Sequence, residues 1–377
     1  MVLKNDIWPQ IRRKFIASAA TEYQGVFVGE TFSLDGFDAW LSRHGIAWPR
    51  TDTGKPRTDQ DTFREYARFH PEVRKLKDLR AVISQLKINR LAVGPDGRNR
   101  YMTGVFGSIT GRNQPSNTKC IFGLSSWLRG LISPKESMAL AYIDFGQQEF
   151  AIAAALSRDA KMMAAYQSGD PYLGSAILAG LAPANATKAT HLEIRELFKV
   201  VILGVQYGMG LDSLALRLGG DKVTARRLLD LHHSTFARYW EWLEEVVNTA
   251  CLEGRLRAAL GWQMNLTRST KYKTITNWLM QANGSEMLRL AVCLATDRGV
   301  RIVAMVHDAL LIEAPYDQIE FMAQQASEAM VQASEIVLHG FSVRTDCRII
   351  RYPDRFLAAK DQSMWNQILG MINDFQK

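Results

Sequence analysis

Apolar residues recur along most of this chain at the three- and four-residue spacing that is typical of amphipathic helices. The pattern covers residues 150–253, 274–297 and 316–338. Asp170-Pro171 and the glycines at 208 and 210 interrupt the first of these stretches, and proline and glycine disfavour helix interiors. We therefore predict a helix-rich chain with short breaks at these two points.

Two other segments show the pattern of buried strands. Residues 138–143 form a short continuous apolar run that ends at Asp144, which predicts a strand that is buried on both faces. Residues 301–313 predict two strands around a tight turn at His307-Asp308. Each of these two segments therefore carries an aspartate at the end of a predicted strand.

The first hundred residues are helix-rich and basic. Between residues 58 and 90, apolar positions recur at helical spacing, which predicts amphipathic helices with a cationic outer face. The cations are Arg64, Arg68, Arg74, Lys75, Lys77, Arg80, Lys87 and Arg90. A turn is predicted at residues 94–97, followed by a short β-like stretch and a polar loop at residues 110–117.

Composition narrows the class of protein. Of the 377 residues 47% are hydrophobic, so the chain can bury a sizeable core. The formal net charge of +8 suits a polyanionic partner such as nucleic acid. The four cysteines are far apart, which argues against a zinc site or a disulfide framework. No apolar run reaches membrane-spanning length and no signal peptide is visible, so we expect a soluble cytoplasmic protein without a membrane partner.

One predicted helix carries a basic face. Arg195, Lys199, Leu203 and Tyr207 are four residues apart, a spacing that brings side chains to one helical face. Two cations, an apolar side chain and an aromatic ring would match a triphosphate, a sugar and a base. Basic helix faces are more often only solvated surface, so this pattern alone identifies no ligand.

The aspartates at the strand edges make the chemistry more specific. A single aspartate at a strand end is usually a helix cap or a turn former. If the two strands are neighbours, however, Asp144 and Asp308 converge without a basic residue next to them in sequence. Two like charges in contact are unfavourable unless one is protonated or a cation lies between them. A hard divalent ion, Mg2+, is the expected cation.

Five segments, in order, resemble the signatures of family A DNA polymerases. Residues 143–149 are similar to motif A, residues 195–208 to motif B and residues 306–308 to motif C, and residues 110–112 and the pair Asn277 and Gln281 match two further signatures. The resemblance extends from about Phe32 to near Arg348. Five matches in the family's order make it specific, although any one alone would be weak.

The resemblance implies which residues carry the chemistry. Asp144 and Asp308 would hold two Mg2+ ions, with the carbonyl of Phe145 as a further ligand and Mn2+ as an alternative ion. Arg195 and Lys199 would bind the triphosphate, and Lys199 would join the two aspartates as a catalytic residue by neutralising the leaving pyrophosphate.

The resemblance also implies the nucleotide and DNA contacts. Glu149 would occupy the place of a ribose 2′-hydroxyl and favour deoxynucleotides, and Leu203 and Tyr207 would contact the nucleotide, with Tyr207 closing over the nascent base pair. The expected DNA contacts are Arg112 and Gln281 in the minor groove, Lys273 and Asn277 near the template, and His307 near the primer terminus. Minor-groove acceptors are nearly the same for every correct pair, so these contacts would check geometry rather than sequence.

Five positions depart from the family pattern. Leu203 replaces the usual aromatic residue, Ala309 stands where a glutamate commonly follows motif C, Lys273 replaces arginine, and Phe145-Gly146 replaces Tyr-Ser. Leu203 offers the sugar an apolar contact but no flat ring, and Ala309 removes the auxiliary carboxylate. None of them removes a predicted metal ligand.

The implied architecture is an α+β right-hand polymerase fold. We expect an N-terminal segment and helical thumb at residues 1–97, an antiparallel-sheet palm at 98–152 and 269–377, and helical fingers at 153–268. The expected partners are primer–template DNA and deoxynucleoside triphosphates, and the expected oligomeric state is a monomer. We also expect no proofreading exonuclease and no 5′-nuclease.

Two other functions fit parts of the sequence. A single-subunit RNA polymerase shares the metal aspartates and the Lys…Tyr-Gly helix, but Glu149 and Gln281 argue against it. A catalytically inactive relative that only binds duplex DNA would explain the charge, but it leaves Asp144, Asp308 and Lys199 without a purpose.

Overall fold

The computed structural model describes residues 8–18, 22–85, 91–116 and 118–376. The chain divides into two compact units. One consists of Met1–Thr103, Pro115–Ile132 and Arg355–Lys377, and the other of Gly104–Gln114 and Ser133–Asp354.

The elements of the first unit are mostly short helices. They are α1 (Trp8–Ser18), β1 (Phe27–Val28), β2 (Thr31–Phe32), α2 (Leu34–Arg43), α3 (Gln60–Tyr66), α4 (Pro71–Gln85) and α14 (Gln362–Gln376), with 3-10 turns at Ile121–Gly123, Ser126–Leu131 and Ala359–Asp361. Asp59 caps α3 by accepting the N–H of Thr62 at 2.9 Å. The basic amphipathic helices predicted between residues 58 and 90 are thus α3 and α4, although Lys87 and Arg90 lie outside the described residues.

The second unit contains the longer helices and the main sheet. Its helices are α5 (Gln148–Ser157), α6 (Ala160–Gln167), α7 (Pro171–Leu178), α8 (Leu192–Gln206), α9 (Leu211–Arg217), α10 (Lys222–Thr235), α11 (Ala237–Glu253), α12 (Tyr272–Asp297) and α13 (Ile319–Val337). The predicted helical stretches and both predicted breaks are confirmed, but residues 179–191 form a further and longer break that the sequence pattern did not predict. Pro171 opens α7 behind the capping residue Asp170, so proline here starts a helix as well as ending the preceding segment.

The strands form one four-stranded antiparallel sheet and three small ladders. The strands of the main sheet are β5 (Met138–Phe145), β8 (Ile302–Val306), β9 (Ala309–Pro315) and β10 (Thr345–Arg351), in the order β10-β5-β9-β8. The ladders are β1 with β2, β3 (Thr103–Gly104) with β4 (Gln114–Pro115), and β6 (Arg255–Arg257) with β7 (Gln263–Asn265). The three predicted strands, β5, β8 and β9, are confirmed, whereas the sequence pattern did not predict β10 or the β6–β7 hairpin.

The core of the second unit lies against the main sheet. Residues of β5 and β9 such as Ala141, Ile143 and Ile312 are fully buried, and they belong to one apolar cluster with Phe150 of α5 and Met330 of α13. Burial on both faces explains why these strands are continuously apolar.

The two units cut across the predicted division into thumb, palm and fingers. Residues 115–132 and 355–377, expected in the palm, group with the N-terminal unit. The assignment to thumb, palm and fingers therefore stays a prediction. None of the helices that the structure describes is both long enough and apolar enough to cross a membrane.

Candidate active site

The sheet brings the two predicted carboxylates together. Asp144 is the second-last residue of β5, and Asp308 lies in the turn between β8 and β9. Asp144 stands opposite Ala309 in the β5–β9 pair, and the N–H of Phe145 donates to the carbonyl of Asp308 over 3.4 Å. His307 provides the left-handed residue of the turn, with φ +56°. Two aspartates that are remote in sequence thus meet at one end of the paired strands.

The two carboxylates repel each other and are partly buried, and both effects act on the pKa of Asp144. The pKa of Asp144 is raised to about 7, first by burial, then by the charge of Asp308 and the hydrogen bond to it, and then by the charge of Asp346. Asp144 Oδ1 is buried, and no residue that the structure describes donates a hydrogen bond to it. A cation would stabilise such an arrangement.

The donor set fits Mg2+ better than a metal that needs a full protein cage. Among the described residues, no three His, Cys, Asp or Glu side chains are arranged to hold a metal ion. Mg2+ does not need such a cage, because it keeps several waters and is commonly held by one or two carboxylates and substrate phosphates. Asp144 and Asp308 supply two such carboxylates, and the Phe145 carbonyl stays a predicted further ligand.

A second cluster surrounds Glu149, which lies in the first turn of α5. Arg112 Nη2 donates to Glu149 Oε1 at 3.2 Å, and the Glu149 side chain is only 18% exposed. The Tyr207 hydroxyl lies near the same carboxylate. Burial, followed by the nearby carboxylate of Glu149, raises the pKa of Tyr207 to about 12. The fold therefore brings two other predicted site residues, Arg112 and Tyr207, to the carboxylate of Glu149.

The two cations of α8 have different surroundings. Arg195 Nε donates to Asp170 Oδ2 and Arg195 Nη1 to Glu196 Oε1, each at 2.5 Å, and the guanidinium lies 5.4 Å from the ring centre of Tyr172. The Arg195 side chain is 12% exposed. Lys199 is 44% exposed, and its ammonium is 4.0 Å from Glu196. Lys199 is thus the more accessible cation, and Arg195 is already bound by carboxylates.

The end of α8 places the aromatic residue at the surface. Leu203 packs against the apolar core, while Tyr207 is 40% exposed. Gly208 follows with φ +62°, and a Cβ added there would lie 2.9 Å from Lys273 Cγ. Glycine at 208 therefore permits both the left-handed turn and the close approach of Lys273.

The helix α12 carries the other predicted DNA-binding residues. Lys273, Asn277 and Gln281 are four residues apart and share one helical face. Lys273 is exposed, and the other two are half-buried. Asn277 Oδ1 is buried and has no hydrogen-bond donor within the described ranges.

Side chains of α12 and of the β6–β7 hairpin fix the three backbone carbonyls that precede Arg112. The bonds run from Trp278 Nε1 to the Ile109 carbonyl (2.8 Å), from Trp262 Nε1 to the same carbonyl (3.0 Å), from Ser285 Oγ to that of Thr110 (2.9 Å) and from Arg289 Nη2 to that of Gly111 (2.6 Å). Arg289 also lies 3.7 Å from the ring centre of Phe106. The loop that carries Arg112 is therefore held from one side by α12.

Arg344 holds the turn that follows β5. Its guanidinium donates to the carbonyls of Tyr166 and Gly169 and to Gln147 Oε1, at 2.6, 2.8 and 2.6 Å. A Cβ added to Gly146 would lie 3.1 Å from Arg344 Cγ. The glycine that replaces the serine common in motif A thus leaves room for Arg344 beside the carboxylate strand.

Sequence reasoning missed Asp170, Arg289, Arg344 and Asp346. The sequence pattern marks Asp170 only as part of a helix break. Arg289 appears in it as an ordinary helix residue. Arg344 immediately precedes β10 and Asp346 lies within it, and the pattern did not predict that strand. The sequence of β10 does not alternate regularly between polar and apolar residues, so its pattern did not indicate a strand.

Comparison with known proteins identifies relatives along most of the chain. The family model described as DNA polymerase family A matches residues 47–349. DNA polymerase I of Aquifex aeolicus is 26% identical over 318 residues, which cover 79% of this chain and 54% of that protein. The thermostable DNA polymerase I of Thermus aquaticus is 24% identical over 303 residues, which cover 74% of this chain and 36% of that protein. The chain thus spans about half or less of the length of these relatives.

A solved structure shares the fold. It is the POL domain of Pol1 from M. smegmatis in complex with DNA primer-template and dNTP. The match has a TM-score of 0.75 and 22% identity, and it covers 92% of this chain and 66% of the other. The predicted α+β polymerase fold is confirmed.

Proposed function

The chain belongs to DNA polymerase family A, and we propose that it extends a DNA primer on a template with deoxynucleoside triphosphates. The observation that carries this proposal is the meeting of Asp144 and Asp308, with Asp144 Oδ1 buried and without a described donor. An inactive DNA-binding relative would have no need to keep two like charges in contact, because that arrangement is unfavourable without a cation.

Asp144, Asp308 and the carbonyl of Phe145 would hold two Mg2+ ions, or Mn2+ in their place. When bound, such ions stabilise the attacking and leaving oxygens of an in-line phosphoryl displacement. Lys199 would offer its exposed ammonium to the triphosphate, where charge builds up on the leaving pyrophosphate. Arg195 would exchange Asp170 for phosphate oxygens, because its guanidinium is occupied by carboxylates at present.

Glu149 would exclude ribonucleotides by its position rather than by its charge alone. Arg112 donates a hydrogen bond to its carboxylate, and Tyr207 lies near it, so the side chain cannot swing away without losing these contacts. Leu203 would supply an apolar contact on the same helix. This arrangement favours a DNA polymerase over a single-subunit RNA polymerase.

The duplex would lie along Arg112, Lys273, Asn277, Gln281 and His307. Contacts from these residues to sugars, phosphates and minor-groove acceptors would not depend on sequence. With a net charge of +8, the chain should bind DNA more weakly as salt increases. We further propose that it works as a monomer and does not shorten primers in the absence of nucleotides, which sedimentation and a labelled-primer assay would test.

Primer extension by an aspartate variant tests the proposed reaction. Asp308→Asn keeps the shape of the side chain but removes its charge, so we expect extension to fall by more than about a hundredfold. Lys199→Ala should lower the rate constant of primer extension while leaving DNA binding unchanged. Asp317→Asn, an exposed aspartate beyond β9, is the control and should extend primers normally. Fluorescence anisotropy should show unchanged, salt-sensitive DNA binding in all three variants.

Two results would contradict the proposal. The first is failure of the wild-type chain to extend a primed template in the presence of Mg2+ or Mn2+. The second is primer extension by Asp308→Asn at the same rate as by Asp317→Asn.

A further inference from the structure

The strand β10 places a third carboxylate beside the active-site pair. Asp346 stands directly opposite Asp144 in the antiparallel β5–β10 register, and residues directly opposite each other carry their side chains on the same face of a sheet. The residue opposite Asp144 on the other side, in β9, is Ala309. The row across the sheet therefore reads Asp346, Asp144, Ala309, with a carboxylate on one flank and a methyl group on the other.

Asp346 has no structural partner that explains it. It is exposed, and no hydrogen bond or ion pair to it occurs within the part of the chain that the structure describes. The nearby Arg344 is engaged by Tyr166, Gln147 and Gly169. Asp346 is nevertheless close enough for its charge to act on Asp144.

A third negative charge is costly in the metal-free protein and useful only when cations are present. Asp144 and Asp308 are already in contact, and each further like charge beside them adds repulsion. Two divalent cations bring four positive charges against two carboxylates. A nearby third carboxylate would reduce that excess, and its attraction to the bound ions would outweigh its repulsion from the other two carboxylates.

We propose that Asp346 is an additional carboxylate of the cation site and acts on the ions through their bound water. The inference rests on the proposed function, because it assumes that cations bind at Asp144 and Asp308. A water-mediated role agrees with the absence, among the described residues, of three side chains arranged for direct ligation. Mg2+ keeps several waters, and outer carboxylates that hydrogen-bond to such waters orient and hold them.

The position of Asp346 also accounts for one departure from the family. Ala309 stands where family members commonly have a glutamate, so β9 supplies no auxiliary carboxylate. Asp346 supplies one from the opposite flank of Asp144. The site would thus keep its total negative charge while changing the strand that provides it.

Cation binding by Asp346 variants tests the inference without relying on catalysis. Free Mn2+ has an electron paramagnetic resonance signal that is lost on binding, so titration of the full chain without DNA gives the affinity directly. We expect Asp346→Asn to weaken Mn2+ binding by about tenfold, and Asp346→Glu to restore most of it because the carboxylate is kept. Asp317→Asn is the matched control and should bind as the wild type does.

Extension assays provide a second test, the Mg2+ dependence of the reaction. In Asp346→Asn, the Mg2+ concentration for half-maximal extension should rise by a similar factor, while the rate at saturating Mg2+ stays within about twofold of the wild-type rate. Since Asp346 is exposed, its replacement should not lower the unfolding temperature of the metal-free protein. That temperature should rise slightly, because a repulsive charge is removed.

The inference is overturned if Asp346→Asn binds Mn2+ as tightly as Asp317→Asn does. It is also overturned if its Mg2+ requirement is unchanged. Failure of the proposed function would look different, since the wild-type chain would then not extend primers at all. The comparison of Mn2+ affinities would still decide whether Asp346 contributes to a cation site.

Discussion

Arg195 of α8 donates its Nε hydrogen to Asp170, the residue that caps α7, over 2.5 Å. The pair is mostly shielded from water, with 12% and 25% of the two side chains exposed. A half-buried carboxylate is thus paired with a cation that is proposed to bind the triphosphate. The incoming nucleotide has to compete with Asp170 for Arg195.

Replacement of Asp170 by Asn should strengthen nucleotide binding. Asparagine can still cap α7, but it no longer competes as an anion, so the KM for deoxynucleotides should fall by about threefold to tenfold. Steady-state extension with a single nucleotide measures this change. Asp221→Asn, at the cap of α10, is the matched control. An unchanged or higher KM in the Asp170 variant would show that Asp170 orients Arg195 rather than competing for it.

Removal of the Glu149 side chain should relax sugar selection. Glu149→Ala frees the place of a ribose 2′-hydroxyl and releases Arg112 and Tyr207, so the preference for deoxynucleotides over ribonucleotides should fall by at least about tenfold. The ratio of kcat/KM for the two sugars measures this preference. Glu193→Ala, an exposed glutamate at the start of α8, should leave the ratio unchanged. A wild-type chain that already used ribonucleotides efficiently would favour an RNA polymerase.

Loss of the Arg289 guanidinium should impair extension through the position of Arg112. Arg289→Met keeps an apolar stem against Phe106 but removes the hydrogen bond to the Gly111 carbonyl, so kcat/KM on a matched primer should fall by about tenfold. Arg289→Lys keeps one donor and should recover part of this loss. Arg298→Met, just beyond the far end of α12, is the control. Equal activity of the two methionine variants would mean that Arg112 does not depend on Arg289.

A buried histidine should make the stability of the chain sensitive to acid. His232 is fully buried, and burial, with a smaller effect from the charge of His233, lowers its pKa to about 3. An unfolded histidine has a pKa of about 6.5. Between these values the unfolded state binds the extra proton, so the free energy of unfolding should fall by about 1.4 kcal/mol for each pH unit below about 6.

Replacement of His232 by Phe should remove this part of the pH dependence. Trp240 Nε1 would lose its acceptor, so the variant should be less stable at pH 7 by about 1 kcal/mol. Denaturant unfolding at pH 7 and pH 5 separates this loss, which does not depend on pH, from the change of the unfolding free energy with pH. His233→Gln, the exposed neighbour, should retain most of the slope. A slope that is equal in His232→Phe and the wild type would place the acid sensitivity elsewhere.

The local pattern of the sequence predicted the elements that carry the site. Periodicity gave the helices of the second unit and the strands β5, β8 and β9, because each of these segments buries a face that its own residues define. Asp144 and Asp308 stood out because they end apolar strands. The ordered motifs then identified the family, which the match over residues 47–349 confirmed.

Only the tertiary structure decided which residues meet. The pairing of Arg195 with Asp170, the hold of Arg289 on the Arg112 loop and the position of Asp346 opposite Asp144 all join segments that are distant in sequence. Strand register and helix packing fix such contacts, and a shift of one residue in β10 would have turned Asp346 to the other face of the sheet. The sequence by itself therefore determined the chemistry that each segment can offer, and the packing of segments against one another determined which of those groups act together.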